Sequence, residues 1–251
     1  MIKFEKVTKN LTGRPVLNDL SFEVQEGETF CIVGPSGVGK SVTLKHMVRL
    51  MTPDFGQVHV QGNTISSMEG RDLENVRELF GYLFQGGALL AWLTVAENVA
   101  LPLREKTGMS ETEIQDRVEE RLAMVGLEGE GDKQPSEISG GMRKRAGLAR
   151  ALVRNPKIVL YDEPTSGLDP VTSRTIDGLI QRMRNELGVT SVVVTHDLHS
   201  ALSIGSRIAM LHGGDIVETA APEDFVKSDN PQVRSFMESQ YITRKGSWER
   251  N

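Results

Sequence analysis

Apolar and polar residues alternate along the opening of the chain. "IKFEKV" and "LSFEV" put every second residue on one face, the pattern of short strands in a half-exposed antiparallel sheet. "TFCIVG" is a continuous β-rich apolar run, suited to a strand covered on both faces. It leads straight into a glycine loop, after which "KSVTLKHMVRLM" predicts a helix. "GQVHVQG", set between glycines, predicts an edge strand. From Ser110 to Val125 the period becomes helical, with Ile114, Val118, Leu122 and Val125 on one face. "GLEGEGDKQP" ends that pattern, and a second helix is expected after Ser139. "KIVLYDEP" and "TSVVVTH" predict buried strands, separated by a helix from Val171 to Leu187. "RIAMLHGGDIVETA" predicts a hairpin turning at Gly213-Gly214. Strand, helix and strand in this order imply parallel pairing with right-handed crossovers.

The helical stretch between about Gly87 and Arg154 interrupts this α/β core and reads as an inserted subdomain. After about Phe225 the chain turns polar, with Val233, Phe236, Met237 and Tyr241 at roughly helical spacing. Two readings fit that end: a short helix docked on this subunit or a neighbour, and a frayed tail.

Composition narrows the class. The chain has 251 residues, 38% hydrophobic and 25% charged, enough for one large domain with a small insertion. A net charge of −5 gives no support to nucleic-acid binding. The single cysteine excludes an intrachain disulfide, and Cys31, inside an apolar run, reads as a core residue. "MIKFEKVTKN" does not read as a secretory signal. No stretch reaches the ~20 apolar residues of a spanning helix. The nearest, "ALLAWLTVAENVALPL", is broken by Thr94, Glu97 and Asn98. A membrane link would therefore run through a partner.

Three motifs carry chemistry. "GPSGVGKS" (Gly34, Pro35, Ser36, Gly37, Val38, Gly39, Lys40 and Ser41) matches the P-loop pattern, whose glycines let the backbone wrap phosphates at a helix N-terminus. Lys40 would reach the β- and γ-phosphates, and Ser41 would ligate Mg²⁺. "KIVLYDEP" ends a hydrophobic strand in Asp162, a carboxylate for the metal, followed by Glu163, which can orient a water and accept its proton. "ISGGMRKRAGLARAL" opens a second helix at Ser139, Gly140 and Gly141, a second anion-binding start. Two such starts and one nucleotide are reconciled by a head-to-tail pair, Ser139 of one copy capping the γ-phosphate held by the other.

With these motifs in place the chain resembles an ATP-binding-cassette (ABC) ATPase over about residues 1–225, leaving 226–251 as a C-terminal extension. The resemblance implies a P-loop NTPase (RecA-like) core with an antiparallel β subdomain and an inserted α-helical subdomain at about 87–154. It makes Gly34–Ser41 the Walker A loop, Ile158–Asp162 the Walker B strand and Glu163 the catalytic glutamate. Gln85 in "YLFQGG" becomes the Q-loop glutamine that touches Mg²⁺, Ser139–Met142 the signature motif and Asp169 part of the D-loop. His196 in "VVVTHD" becomes the switch histidine contacting the γ-phosphate. Met142 stands where the family usually has Gln, and Val42 follows the P-loop serine where Thr is frequent. Leu11, with Val16 nearby, holds the place of the aromatic that many members stack on adenine, and an aliphatic contact selects the base weakly.

The implied role is a separate ATPase subunit that binds ATP and Mg²⁺, pairs with a second copy of itself and drives a membrane permease from the cytoplasmic face of the inner membrane. "LFQGGALLAWLTVAENVALPL", "GKSVTLKH", "NPQVRSFME" and above all Gly141–Arg145 resemble the subgroup that works with MCE-domain proteins in phospholipid transport, where a STAS-domain protein can also bind. An importer for a small polar solute such as an amino acid shares every ATPase motif. A soluble ABC ATPase acting on DNA or ribosomes usually carries two cassettes or long coiled-coil insertions, which this sequence lacks. Arg143, Lys144 and Arg145 are expected on a solvated helix face. Leu89, Leu90, Trp92 and Leu93 are expected to divide between subdomain core and a patch facing the permease.

Overall fold

The alternating N-terminal stretches form β1 (Ile2–Leu11) and β2 (Arg14–Val24), which pair antiparallel with Phe4 opposite Phe22. Their rings stack at 4.5 Å, and Phe22 stacks in turn on Phe30 at 5.5 Å. Phe30 belongs to β3 (Thr29–Val33), which is buried at every position, Cys31 included. Helix α1 (Lys40–Met47) follows the glycine loop. It stops short of the predicted Met51 because Arg49 takes a left-handed φ of 49° and Leu50 N–H closes back on the Lys45 carbonyl at 2.8 Å. Next come β4 (Phe55–Val60), β5 (Asn63–Thr64) and α2 (Gly70–Arg77). The sheet order is β2-β1-β4-β5, so β4 is not the edge strand its sequence suggested; β5 covers it at His59 and Val60.

The middle of the chain supplies β6 (Phe80–Leu83), α3 (Val95–Lys106), α4 (Glu111–Met124), α5 (Gly140–Leu152), β7 (Ile158–Asp162) and α6 (Pro170–Leu187). Capping boxes start α3 and α4, with Thr94 answered by Glu97 and Ser110 by Glu113. Ile114, Val118, Leu122 and Val125 are buried, as their spacing predicts.

The rest comprises β8 (Thr190–Thr195), α7 (Leu198–Ile204), β9 (Arg207–His212), β10 (Asp215–Ala220), α8 (Pro222–Phe225) and α9 (Pro231–Ser239). The β9–β10 hairpin turns at Gly213 and Gly214, both at positive φ (61° and 88°), as a two-residue turn of this hand requires. In α9 the side chains of Val233, Phe236 and Met237 are buried, so this segment docks as a helix on its own chain, whereas Tyr241 is 88% exposed.

This computed structural model describes residues 1–242; the end of the 226–251 extension, from 243 onward, lies outside the described residues. The chain divides into two units, Met1–Arg77 with the part from Thr190, and Glu78–Val189. The first holds the antiparallel sheet and the strand series β10-β9-β3-β8, in which β3 runs parallel to both β9 and β8. The second holds the parallel pair β7 and β6 with α3, α4, α5 and α6.

Candidate functional site

In the first unit, β3 and β8 are parallel neighbours with Val33 opposite Thr195. Gly34 follows Val33 and His196 follows Thr195. The glycine loop and the histidine thus leave the same C-terminal strand edge, where α/β sheets bind ligands. Gly34 is required by space: a Cβ there would lie 2.4 Å from the Leu211 carbonyl oxygen. Gly39 is required by conformation, since it caps α1 at φ 113°. Lys40 is buried at 5% exposure, and its ammonium donates to the carbonyls of Gly34 (2.8 Å) and Pro35 (3.0 Å). Pro35, Ser36 and Gly37 are exposed, and Val38, Ser41 and Val42 are half-buried. Val16 sits beside the loop, its carbonyl oxygen 3.0 Å from where a Gly39 Cβ would stand. Leu11 is half-buried at the end of the β1–β2 hairpin, opposite Arg14.

In the second unit, β6 and β7 are parallel with Leu83 opposite Tyr161. This brings Gln85, just past β6, and Asp162 and Glu163, at the end of β7, to one strand edge. Gln85 is exposed, whereas Asp162 and Glu163 are 7% and 8% exposed. The Tyr82 hydroxyl donates to Asp162 Oδ2 at 3.4 Å. Burial first, then the Asp162 charge, raises the Tyr82 pKa, which keeps this donor protonated. Glu163 adopts a left-handed φ of 50°, a strained conformation for a non-glycine residue. Lys144 holds it there: its ammonium donates to the Glu163 carbonyl at 3.2 Å and to the Ser166 carbonyl. Burial lowers the Lys144 pKa, partly opposed by the Glu163 charge.

Ser139 caps α5, its hydroxyl accepting from Met142 N–H at 3.2 Å, while Asp169 caps α6 and accepts from Val171 and Thr172 N–H at 3.0 Å each. The Thr172 hydroxyl also donates to Asp169 and is the main cause of its lowered pKa. Gly140 and Met142 are half-buried, but Gly141 is buried, and a Cβ on it would lie 2.4 Å from Thr172 Cγ2. Helices α5 and α6 therefore meet through a glycine and a threonine.

The solvated face expected at Arg143–Arg145 is not what forms. Lys144 is buried, Arg143 donates to the Ile138 carbonyl at 2.6 Å, and Arg145 donates to the carbonyls of Val125 (2.9 Å) and Gly126 (2.6 Å). The cause is that the buried stripe Gly141-Lys144-Leu148-Leu152 runs through the lysine. That stripe was the signal for Lys144. Tyr82 gave none, since no strand was expected at Phe80–Leu83. Leu89, Leu90 and Leu93 are half-buried, and Trp92 is 75% exposed. Buried Asn98 pins their loop: its side chain accepts from Leu90 N–H at 2.7 Å and donates toward the carbonyls of Leu90, Leu93 and Thr94.

Among the described residues, no helix is long and apolar enough to cross a membrane, and no group of three or more His, Cys, Asp or Glu could hold a metal by itself. The ABC transporter family model matches residues 17–166. A probable ribonucleotide transport ATP-binding protein, mkl, of Mycobacterium tuberculosis (strain H37Rv) is 42% identical over 96% of this chain and 67% of its own length. The methionine import ATP-binding protein MetN 2 of Pseudomonas entomophila is 39% identical over 95% of this chain and 72% of its own. Among solved structures, the ATP-binding cassette MJ0796, dimeric in a post-hydrolysis state bound to ADP and Pi, superposes with a TM-score of 0.81. It is 35% identical and covers 88% of this chain and 99% of its own. The cbiO1 protein of Clostridium perfringens, part of the transporter complex cbiONQ, superposes at 0.82 with 27% identity, over 95% of this chain and 94% of its own.

Proposed function

The chain belongs to the ABC transporter family, and from that premise we propose that it is the ATPase subunit of a membrane transporter that moves phospholipid or a related lipid with an MCE-type partner. It binds ATP and hydrolyses it, as ABC ATPases do. In this reading residues 1–225 are the cassette, about 87–154 its helical subdomain, and 226–251 an extension. Two copies pair head to tail. Gly34–Val42 holds the phosphates, Leu11 and Val16 flank the base, and Ser139–Met142 and Asp169 act across the pair. Glu163 orients the attacking water, and His196 contacts the γ-phosphate. Ser41, Gln85 and Asp162 are an all-oxygen donor set with one buried carboxylate, which suits Mg²⁺, a cation usually completed by phosphate and water. When bound, Mg²⁺ neutralises developing phosphate charge. The permease meets the loop bearing Trp92, an exposed aromatic on a pinned support. It holds the subunit at the cytoplasmic face of the inner membrane, where a STAS-domain protein can join.

The observation that carries the lipid reading is the Gly141–Arg145 stretch. Its departure from the family's usual Gln at Met142 comes with a lysine and two arginines, all bonded to backbone carbonyls. The second reading, import of a polar solute, is favoured by the similarity to methionine import proteins.

Affinity purification of the tagged chain from membranes, with mass spectrometry of proteins and lipids, tests the cargo. An MCE-domain protein and bound phospholipid are expected; a solute-binding protein with no specific lipid would overturn the lipid reading. Independently, Glu163→Gln should bind ATP, hydrolyse it slowly and accumulate as a dimer on gel filtration. Turnover at the wild-type rate would remove Glu163 from its role.

A further inference from the structure

The segment after α9 reaches back to the strand end that carries His196. Gln240, half-buried, donates from Nε2 to the His196 carbonyl at 2.5 Å and accepts at Oε1 from Leu198 N–H at 2.9 Å. The two partners fix the amide's orientation, because a carbonyl only accepts and an N–H only donates. His199 Nε2 adds a contact to the Gln240 carbonyl at 3.2 Å, which makes that nitrogen a donor. The turn's own bonds are local. Asp197 N–H donates to Thr195 Oγ1 at 2.9 Å, and the Asp197 carboxylate accepts from Ser200 N–H at 3.1 Å. Gln240 spans the residue between them from a point 44 positions along the chain. Its own position is set by α9, whose Val233, Phe236 and Met237 are buried, and by Ile242 at 2% exposure. Asn230 anchors the start of that helix: it caps Gln232 N–H at 2.9 Å and donates to the Val217 carbonyl at 3.2 Å.

We propose that Gln240 is a positioning residue for His196: the C-terminal segment sets the backbone of the switch turn, so the histidine is presented in one orientation. The inference rests on reading His196 as the group that contacts the γ-phosphate. Gln240 touches no nucleotide in this scheme and acts only through the turn. A displacement of about 1 Å at such a group can cost up to about a hundredfold in rate. Loss of both bonds should therefore lower turnover while leaving the glycine loop, and with it ATP affinity, in place.

The test uses the full-length chain in the membrane complex with which it co-purifies. ATP hydrolysis is measured across ATP concentrations for wild type, Gln240→Met, His196→Ala and the double variant. Gln240→Met should lower kcat at least about tenfold with KM within about twofold of wild type, and the double variant should be no slower than His196→Ala. Wild-type turnover by Gln240→Met would overturn the proposal, as would losses that multiply in the double variant. Wild-type turnover by His196→Ala would instead remove the reading of His196 itself, a result legible without any Gln240 variant. If Gln240→Met melts early, Gln240→Glu replaces it. The carboxylate keeps the Leu198 bond and repels the His196 carbonyl, so its rate relative to wild type should rise as the pH falls and a protonated carboxyl restores the donor. A ratio independent of pH would overturn the proposal.

Discussion

Replacing Lys144 by Met keeps the length of the side chain and removes its charge and donors. In the native chain Lys144 is 4% exposed, and its ammonium bonds the carbonyls of Glu163 and Ser166, the two ends of the turn that follows β7. Hydrogen bonds from a charged group contribute about 1.5–3 kcal/mol each. Burying the ammonium opposes that gain, as its lowered pKa records. The net loss on substitution is therefore about 2 kcal/mol. For a chain of this size that lowers Tm by about 4–8 °C. The functional effect should be larger than the stability effect. Glu163 sits at φ 50°, and a left-handed residue of this kind costs about 1–2 kcal/mol, held only by its surroundings. Without Lys144 the turn can relax toward ordinary backbone angles and carry the carboxylate away. Thermal melting and steady-state ATP hydrolysis, measured on Lys144→Met and wild type side by side, give both numbers. The expected result is the lower melting point together with a kcat reduced about ten- to a hundredfold. A variant that melts within about one degree of wild type and hydrolyses ATP at the same rate would refute the argument, because it would show the strained turn standing without its anchor.

Gly141→Ala should destabilise the chain by about 1–3 kcal/mol, since its methyl would meet Thr172 Cγ2 at 2.4 Å. Adding Thr172→Ser, which removes that methyl but keeps the hydroxyl on Asp169, should restore most of the loss in denaturant melts; no rescue would place the strain elsewhere. His46 gives a pH effect of definite sign. Burial lowers its pKa below 6.5, and Nδ1 donates to the Val42 carbonyl at 2.7 Å. The folded chain therefore resists the proton that the unfolded chain accepts, so this contribution is complete above about pH 6.5 and is lost as the pH falls toward the folded pKa. Stability measured by urea melts should decline over that interval more steeply in wild type than in His46→Leu; equal slopes would dispose of the buried neutral imidazole.

Much of this was legible in the sequence. Continuous apolar runs gave β3, β7 and β8, and a glycine loop, a pair of acids and a histidine at their respective ends located residues on the C-terminal strand edges. The helical period of Ile114, Val118, Leu122 and Val125 gave α4. These signals are local, and each is written within a dozen or so neighbouring positions. What escaped was long-range. The early end of α1 depends on a left-handed Arg49 that periodicity does not register. The inner position of β4 depends on a two-residue partner too short to carry a pattern. Lys144 bonds residues 19 and 22 positions away, and Gln240 bonds one 44 positions away. Such contacts leave no spacing rule behind.

Lys144, Gln240 and Asn98 share one physical role. A strand that ends at a ligand-facing edge leaves its ladder, and the turn beyond it has carbonyls and amides that no neighbouring strand pairs. Those groups must still be bonded when they are buried. Here single polar side chains from other elements do part of that work: Lys144 for the turn after β7, Gln240 for the turn after β8, Asn98 for the loop before α3. A ladder would fix such turns more firmly, but it would also occupy the backbone groups and the edge that the nucleotide and partner need. An anchor of one side chain fixes the turn at one point and leaves the rest of it open. This explains why polar side chains distant in sequence from these turns bear on the chemistry they carry, and why their loss should appear first in turnover and only second in folding.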